Sequence, residues 1–223
     1  LNIGNSVFDN NTKNNNYGIY ATGTQINNTV FSNTRVAGGI TVSDDCRYMT
    51  ASSFTISNIP DGICGDTITI TITESHGYTG TINLTIGSMR FTVNLNNGQG
   101  RFNGPLNLGP GTYKAIIDFH ETGDYYSSYA ESNEFNLKIR PEFEIVPIEN
   151  VTIGHQLTIY VNERTRFNGV VNLTVGPRTV QVTLNNGVGS VNIPTNFGTG
   201  AIKAILRFSG NNNYTEGYAE SNE

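Results

Sequence analysis

Three histidines and two cysteines are the side chains of this 223-residue chain best suited to chemistry. His76, His120 and His155 have no His, Cys or carboxylate partner at a spacing that would hold a metal. The chain has no Cys-x-x-Cys, no glycine-rich phosphate loop and no nucleophile elbow. The residues therefore read as non-enzymatic, with no catalytic, cofactor-binding or metal site. A different chemistry is open to Asn10, Asn27, Asn83, Asn150, Asn172 and Asn213. Each begins an Asn-x-Ser/Thr triplet, the acceptor pattern for N-glycosylation.

The elements that carry these residues emerge when the chain is slid against itself. At an offset of 89, residues 54–134 align without a gap on 143–223, and 34 of the 81 aligned positions are identical, so the chain holds two copies of one domain. Ile68, Ile70 and Ile72 fall on Leu157, Ile159 and Val161, and Ile82, Leu84 and Ile86 on Val171, Leu173 and Val175. Phe91, Val93 and Leu95 fall on Val180, Val182 and Leu184, and Ala115, Ile117 and Phe119 on Ala204, Leu206 and Phe208. Apolar residues at every second position mark strands with one face in a core. Gly87-Ser88, Gly176-Pro177, Asn97-Gly98 and Asn186-Gly187 supply turns between them. Short antiparallel strands in units of this length predict a β-sandwich.

The repeat also tests the chemistry. His76, His120 and His155 align with no other histidine. Glu74 matches Glu163, Lys114 matches Lys203 and Glu131 matches Glu220. An acid-assisted Lys-to-Asn isopeptide bond would use Lys114 and Lys203, but both sit on the outward phase of alternating strands, where a solvated lysine is expected. Asp118, Glu121 and Asp124 could hold calcium in the first copy, yet Arg207, Gly210 and Asn213 replace them in the second. Asn83 and Asn172 match and alternate with inward residues, so they should point outward.

The run from Gly111 to Phe119, with Gly123-Asp124-Tyr125 and Tyr129-Ala130, resembles the signature of bacterial-type Ig-like repeats of surface adhesins. The second copy, from Gly200 to Phe208 and on to Tyr214 and Tyr218, is similar without the Gly-Asp pair. Such repeats are familiar from adhesin-like proteins of methanogenic archaea. In the first 45 residues, Ile3, Asn5, Val7, Phe8 and Asn10 recur 23 places later as Ile26, Asn28, Val30, Phe31 and Asn33, and Gly18-Ile19 recurs approximately as Gly39-Ile40. These units fit coils of a right-handed parallel β-helix, which in the family precedes Ig-like repeats.

The expected architecture is all-β: end coils of a parallel β-helix over 1–45, an Ig-like β-sandwich over 46–140, and a second over 141–223. Glu223 is the counterpart of Glu134, which precedes the alternating run Phe135–Ile139, so the second sandwich is expected to lack its last strand. The resemblance implies an extracellular, cell-surface adhesin or stalk whose partner is another cell surface or a glycan, bound mostly upstream. In that setting Cys46 and Cys64 would form a disulfide closing a loop of about 19 residues, contributing roughly 3 kcal/mol; two reduced thiols are the alternative. A carbohydrate-binding module stacking sugars on Tyr125, Tyr126 and Tyr129, or accessory domains of a β-helix polysaccharide-degrading enzyme, are the other functions. Only 13 Lys and Arg, scattered along a chain of net charge -5, give no footprint for nucleic acid. No apolar run reaches membrane-spanning length.

Overall fold

In a computed structural model, the structure describes residues 2–4, 7–9, 19–20, 24–27, 29–32, 36–37, 40–42 and 46–223. All regular elements among them are strands. They gather into two units, one of Leu1–Pro60, Thr67–Pro105 and Tyr113–Glu134, the other of Asp61–Asp66, Leu106–Thr112 and Phe135–Glu223.

The first unit begins with β1 (Asn2–Gly4), β2 (Val7–Asp9), β3 (Ile19–Tyr20), β4 (Thr24–Asn27), β5 (Val30–Ser32), β6 (Val36–Ala37), β7 (Ile40–Val42) and β8 (Arg47–Met49). All pair in parallel, in the sheets β1-β4-β7, β2-β5-β8 and β3-β6. The 23-residue periodicity sets the first register, with Ile3 opposite Ile26, Val7 opposite Val30 and Phe8 opposite Phe31. The next turn is shorter, which corrects the Gly18-Ile19 match: Ile19 pairs with Val36, and Ile40 pairs with Thr24. Ile26, Phe31 and Met49 are buried, and the Phe31 ring stacks on Tyr48 at 4.9 Å. The other members of the recurring set, Asn5, Asn10, Asn28 and Asn33, lie outside the described residues, as do Gly18 and Gly39.

The first copy follows as β9 (Phe54–Ile56), β10 (Gly62–Ile63), β11 (Thr67–Glu74), β12 (Gly80–Ile86), β13 (Met89–Asn96), β14 (Gln99–Pro105), β15 (Gly111–Tyr113), β16 (Ala115–Phe119), β17 (Ser128–Glu131) and β18 (Phe135–Lys138). One seven-stranded sheet runs β17-β16-β12-β13-β14-β11-β9, and a three-stranded sheet runs β10-β18-β15. The seven-stranded sheet curls until its edges approach, where the Ser52 hydroxyl donates to the Tyr126 carbonyl at 2.5 Å and meets the Ser128 hydroxyl at 2.7 Å. Ile70, Leu84, Val93, Ile117 and Phe119 are all buried, as their alternation predicts.

The second copy comprises β19 (Phe143–Ile145), β20 (Gln156–Glu163), β21 (Gly169–Val175), β22 (Arg178–Leu184), β23 (Val188–Pro194), β24 (Ala204–Phe208) and β25 (Gly217–Glu220). Its sheets, β19-β20-β23 and β22-β21-β24-β25, contribute to one core of Ile159, Val161, Leu173, Val182, Ile193, Leu206 and their neighbours. That is a two-layer sandwich. Phe208 is only half-buried against this core. The corner hairpin explains why the first copy counts as one sheet: Leu95–Gly100 and Asn96–Gln99 continue its ladder, whereas the second copy keeps an isolated Asn185–Val188 bridge.

Both corner turns take the conformation that Asn-Gly favours. Asn97 and Gly98 have φ of 48° and 74°, Asn186 and Gly187 of 50° and 80°, the left-handed pair of a tight hairpin. A Cβ on Gly98 would collide with the Glu74 carbonyl, and one on Gly187 with that of Glu163.

Candidate functional site

Glu74 and Glu163, each at the end of a central strand, are carboxylates sealed into the protein, only 5% and 6% exposed. A buried carboxylate is costly unless its oxygens accept hydrogen bonds. Glu74 accepts from the backbone N–H of Ser53 (3.1 Å), His76 (3.0 Å) and Tyr78 (2.9 Å), and its Oε1 lies 3.3 Å from His76 Nδ1. Glu163 accepts from the N–H of Glu142 (3.0 Å) and Phe167 (2.8 Å), and Thr165 Oγ1, in the place of His76, donates to it at 2.6 Å. Burial raises the Glu74 carboxyl pKa, but the donors of Tyr78, Ser53 and His76 outweigh it and hold the group below the usual carboxylate range. The same balance lowers Glu163. Both glutamates are thus ionised anchors for the loop behind them. That loop in turn holds the corner hairpin, because Gly98 N–H donates to Tyr78 O and Gly187 N–H to Phe167 O, both at 2.8 Å. An acid with every oxygen occupied by such donors has no place for a substrate.

The second matched set lies on the surface. Lys114 Nζ meets Glu131 Oε1 at 2.8 Å, and Lys203 Nζ meets Glu220 Oε1 at 3.4 Å. Tyr129 and Tyr218 donate to the other oxygens of Glu131 and Glu220, at 3.4 and 2.8 Å. The hydrogen bond to Glu131 raises the Lys114 pKa and so favours the ammonium form. An isopeptide bond needs a neutral amine facing an amide, and Lys114 instead faces a carboxylate as a cation. The Arg207 guanidinium lies 5.2 Å from the centre of the Tyr218 ring.

The structure shows no disulfide between Cys46 and Cys64. Cys46 Sγ donates to the Ile26 carbonyl at 3.5 Å, while Cys64 follows β10 with its N–H on the Lys138 carbonyl at 2.9 Å. Burial raises the Cys64 pKa, which disfavours the thiolate needed for disulfide exchange.

Asn83 and Asn172 lie exposed at the centres of β12 and β21, facing away from the core as their alternation predicts. Asn150 and Asn213 are exposed in irregular segments, and Asn10 lies outside the described residues. Asn27 is exposed on β4, but the Thr29 hydroxyl of its triplet is buried and donates to the Asn27 carbonyl at 2.8 Å. The three tyrosines expected to stack on sugars do not share one surface role. Tyr125 packs edge-on against Tyr78 and donates to the His76 carbonyl, and the Tyr126 hydroxyl is buried without a hydrogen-bond partner. Only Tyr129 of the three is broadly open, at 61% exposed. Asp118, Glu121 and Asp124 form no metal-holding group among the described residues. No helix among them is long and apolar enough to cross a membrane.

Sequence reasoning recognised that Glu74 and Glu163 survive the repeat but missed their burial. The signal was their phase, since each continues the inward alternation of its strand.

No family model and no curated protein match the chain. Among solved structures, a chimeric titin Z1Z2 tandem aligns over 76% of this chain and 96% of its own, at 11% identity and a TM-score of 0.32. Alpha-2-macroglobulin from Salmonella aligns over the same share at 16% identity and a TM-score of 0.30, and that from Escherichia coli at 15% and 0.31. This chain spans 14% of the Salmonella protein and 20% of the E. coli one.

Proposed function

We propose that this chain is a non-enzymatic, extracellular segment of a cell-surface adhesin or stalk, whose sandwiches hold a binding region away from the cell. The carrying observation is that each copy grips the residue preceding it in the same way. Thr50 donates its N–H to the Asp124 carbonyl and accepts from Tyr126 N–H, at 2.6 and 3.0 Å. Ile139, 89 residues on, donates to Asn213 and accepts from Thr215, at 2.8 and 2.9 Å. A repeat that takes hold of its own leader with backbone bonds leaves little free linker, and a spacer needs that property. On this reading the parallel ladders of residues 2–49 are end coils of a β-helix, as in the archaeal adhesin-like proteins that the sequence resembles. Another cell surface or a glycan is the partner.

Limited proteolysis of the native chain tests the spacer: residues 50–53 and 139–142 should resist cleavage as long as the copies stay folded, and ready cleavage at these junctions would end the proposal. One observation favours a second reading, a carbohydrate-binding module: Tyr129 and Tyr218, matched across the repeat, are 61% and 50% exposed. On a glycan array, binding that disappears in the Tyr129→Ala/Tyr218→Ala double variant would favour the module, and no binding would favour the spacer.

A further inference from the structure

Around the turn that follows β10 the two copies share three backbone hydrogen bonds. Gly65 N–H donates to Leu106 O, Asp66 to Ile63 and Leu106 to Asp66; Gly154 to Thr195, His155 to Thr152 and Thr195 to His155 repeat all three. In the first copy β18 then lies between β10 and β15, pairing in parallel as Gly62–Leu137 and Ile63–Lys138. Its Phe135 and Leu137 are 1% exposed, and Asn136 N–H donates to Asp61 Oδ1 at 2.7 Å.

The second copy has a groove at this place, of about 220 Å³, lined by Ile148, Val151, Ile153, Leu157, Phe197 and Ile202. Its walls are the counterparts of β10 and β15, here turn and irregular backbone. Val151 and Ile153 stand 43% and 48% exposed. Asn150, the counterpart of Asp61, keeps a carbonyl acceptor at the same position. The device that launches β18 is also present. Asn133 grips Ile59 through both its side-chain amide atoms immediately before β18, and Asn222 grips Ile148 in the same way at the rim of the groove.

We propose that this groove receives an extended strand of β18's chemistry. The strand is apolar at its first and third positions, runs parallel to residues 151–153, and is delivered in line from Asn222 and Glu223. Two features select a strand over a small apolar ligand. In the first copy β18 is held by backbone as well as by side chains, with Cys64 N–H donating to the Lys138 carbonyl and Asn136 N–H to Asp61, and Ile153 and Asn150 stand at the matching places beside the groove. In-line delivery follows from the Asn222 clamp, which fixes the direction in which the chain leaves.

The test compares the 223-residue chain with the same chain extended after Glu223 by a repeat of the sequence of residues 135–140, and with an extension whose Phe and Leu positions carry Asp. The native-pattern extension should slow amide exchange at residues 151–153 at least tenfold. It should also raise the melting temperature of the second copy by roughly 8 °C or more, the shift expected when two large apolar side chains leave water in a domain of this size. The Asp extension should do neither. Unchanged exchange at 151–153 with the native pattern, or equal protection by both patterns, would overturn the proposal. A free peptide of residues 134–139 that protects 151–153 at stoichiometric concentration as fully as the tethered strand would also overturn in-line delivery, and would assign the groove to a separate molecule.

Discussion

The side-chain amide of Asn133 closes a two-bond ring on the backbone of Ile59: Oδ1 accepts from Ile59 N–H and Nδ2 donates to Ile59 O, both at 2.8 Å. One side chain thereby does what a paired strand residue does, and it fixes its own orientation, since a flipped amide would set donor against donor. Asn222 and Ile148 repeat the ring at 2.8 and 2.9 Å. Asn133→Ala strands both backbone groups of a residue that is 1% exposed, and should cost about 1–2 kcal/mol by denaturant unfolding. Asn133→Asp should not rescue it, because its second oxygen would face the Ile59 carbonyl. Wild-type stability in either variant would show that the ring contributes nothing.

The thiols give a second prediction. Intact mass after alkylation without reductant should show two modified cysteines. Cys64 should react the more slowly at neutral pH, because burial lifts its pKa above the ordinary value of 9.0 and depletes the thiolate. A mass two hydrogen atoms lighter than the reduced chain, with no alkylation, would establish a bond between Cys46 and Cys64 instead.

The strands were legible because their alternation is repeated. Where Ile70 and Ile159 or Leu84 and Leu173 recur 89 residues apart, the inward phase is stated twice, and all four are buried. The Asn-Gly turns were legible because left-handed φ at consecutive positions suits few other residue pairs. Legibility failed where a partner is distant in sequence or changes identity between copies. The Glu74 cage draws donors from Ser53 and Tyr78, and its His76 becomes Thr165, so no local motif announces it. The state of the cysteine pair was not legible for another reason: an even count says nothing of distance. The shorter second turn of the parallel ladders was hidden because a weak Gly-Ile match outlined the wrong register for Ile19.

Asn83 and Asn172 lead to a third prediction. Each is exposed at mid-strand on a polar sheet face, Asn83 opposite Thr92 and Asn172 opposite Gln181, so a glycan would project from the sheet without displacing core residues. In protein from its native source, the peptides containing Asn83 and Asn172 should carry hexose-containing mass additions. The Asn27 peptide should carry less, since Thr29 is buried and bonded to the Asn27 carbonyl. Unmodified Asn83 and Asn172 peptides would remove the glycan from this surface.

The buried glutamates make stability depend on pH in a definite direction. Folding holds the Glu74 and Glu163 carboxyls below the ordinary value of 4.5, so the unfolded chain binds their protons first as pH falls. A depressed carboxyl contributes its full stabilisation above the unfolded pKa and loses it as pH drops through the folded one. Melting temperature should therefore be nearly flat from pH 7 to about 5 and fall steadily below about 4.5. Glu163→Gln separates charge from shape. Its NH2 would face a donor, either Phe167 N–H or Thr165 Oγ1 with Glu142 N–H, so one buried bond becomes a clash of donors. We expect a loss of about 2–4 kcal/mol in the second copy, with a shallower acid dependence there and the first copy unchanged as an internal reference. Retained stability together with an unaltered acid midpoint would mean that Glu163 is not the ionised anchor of the 163–167 loop.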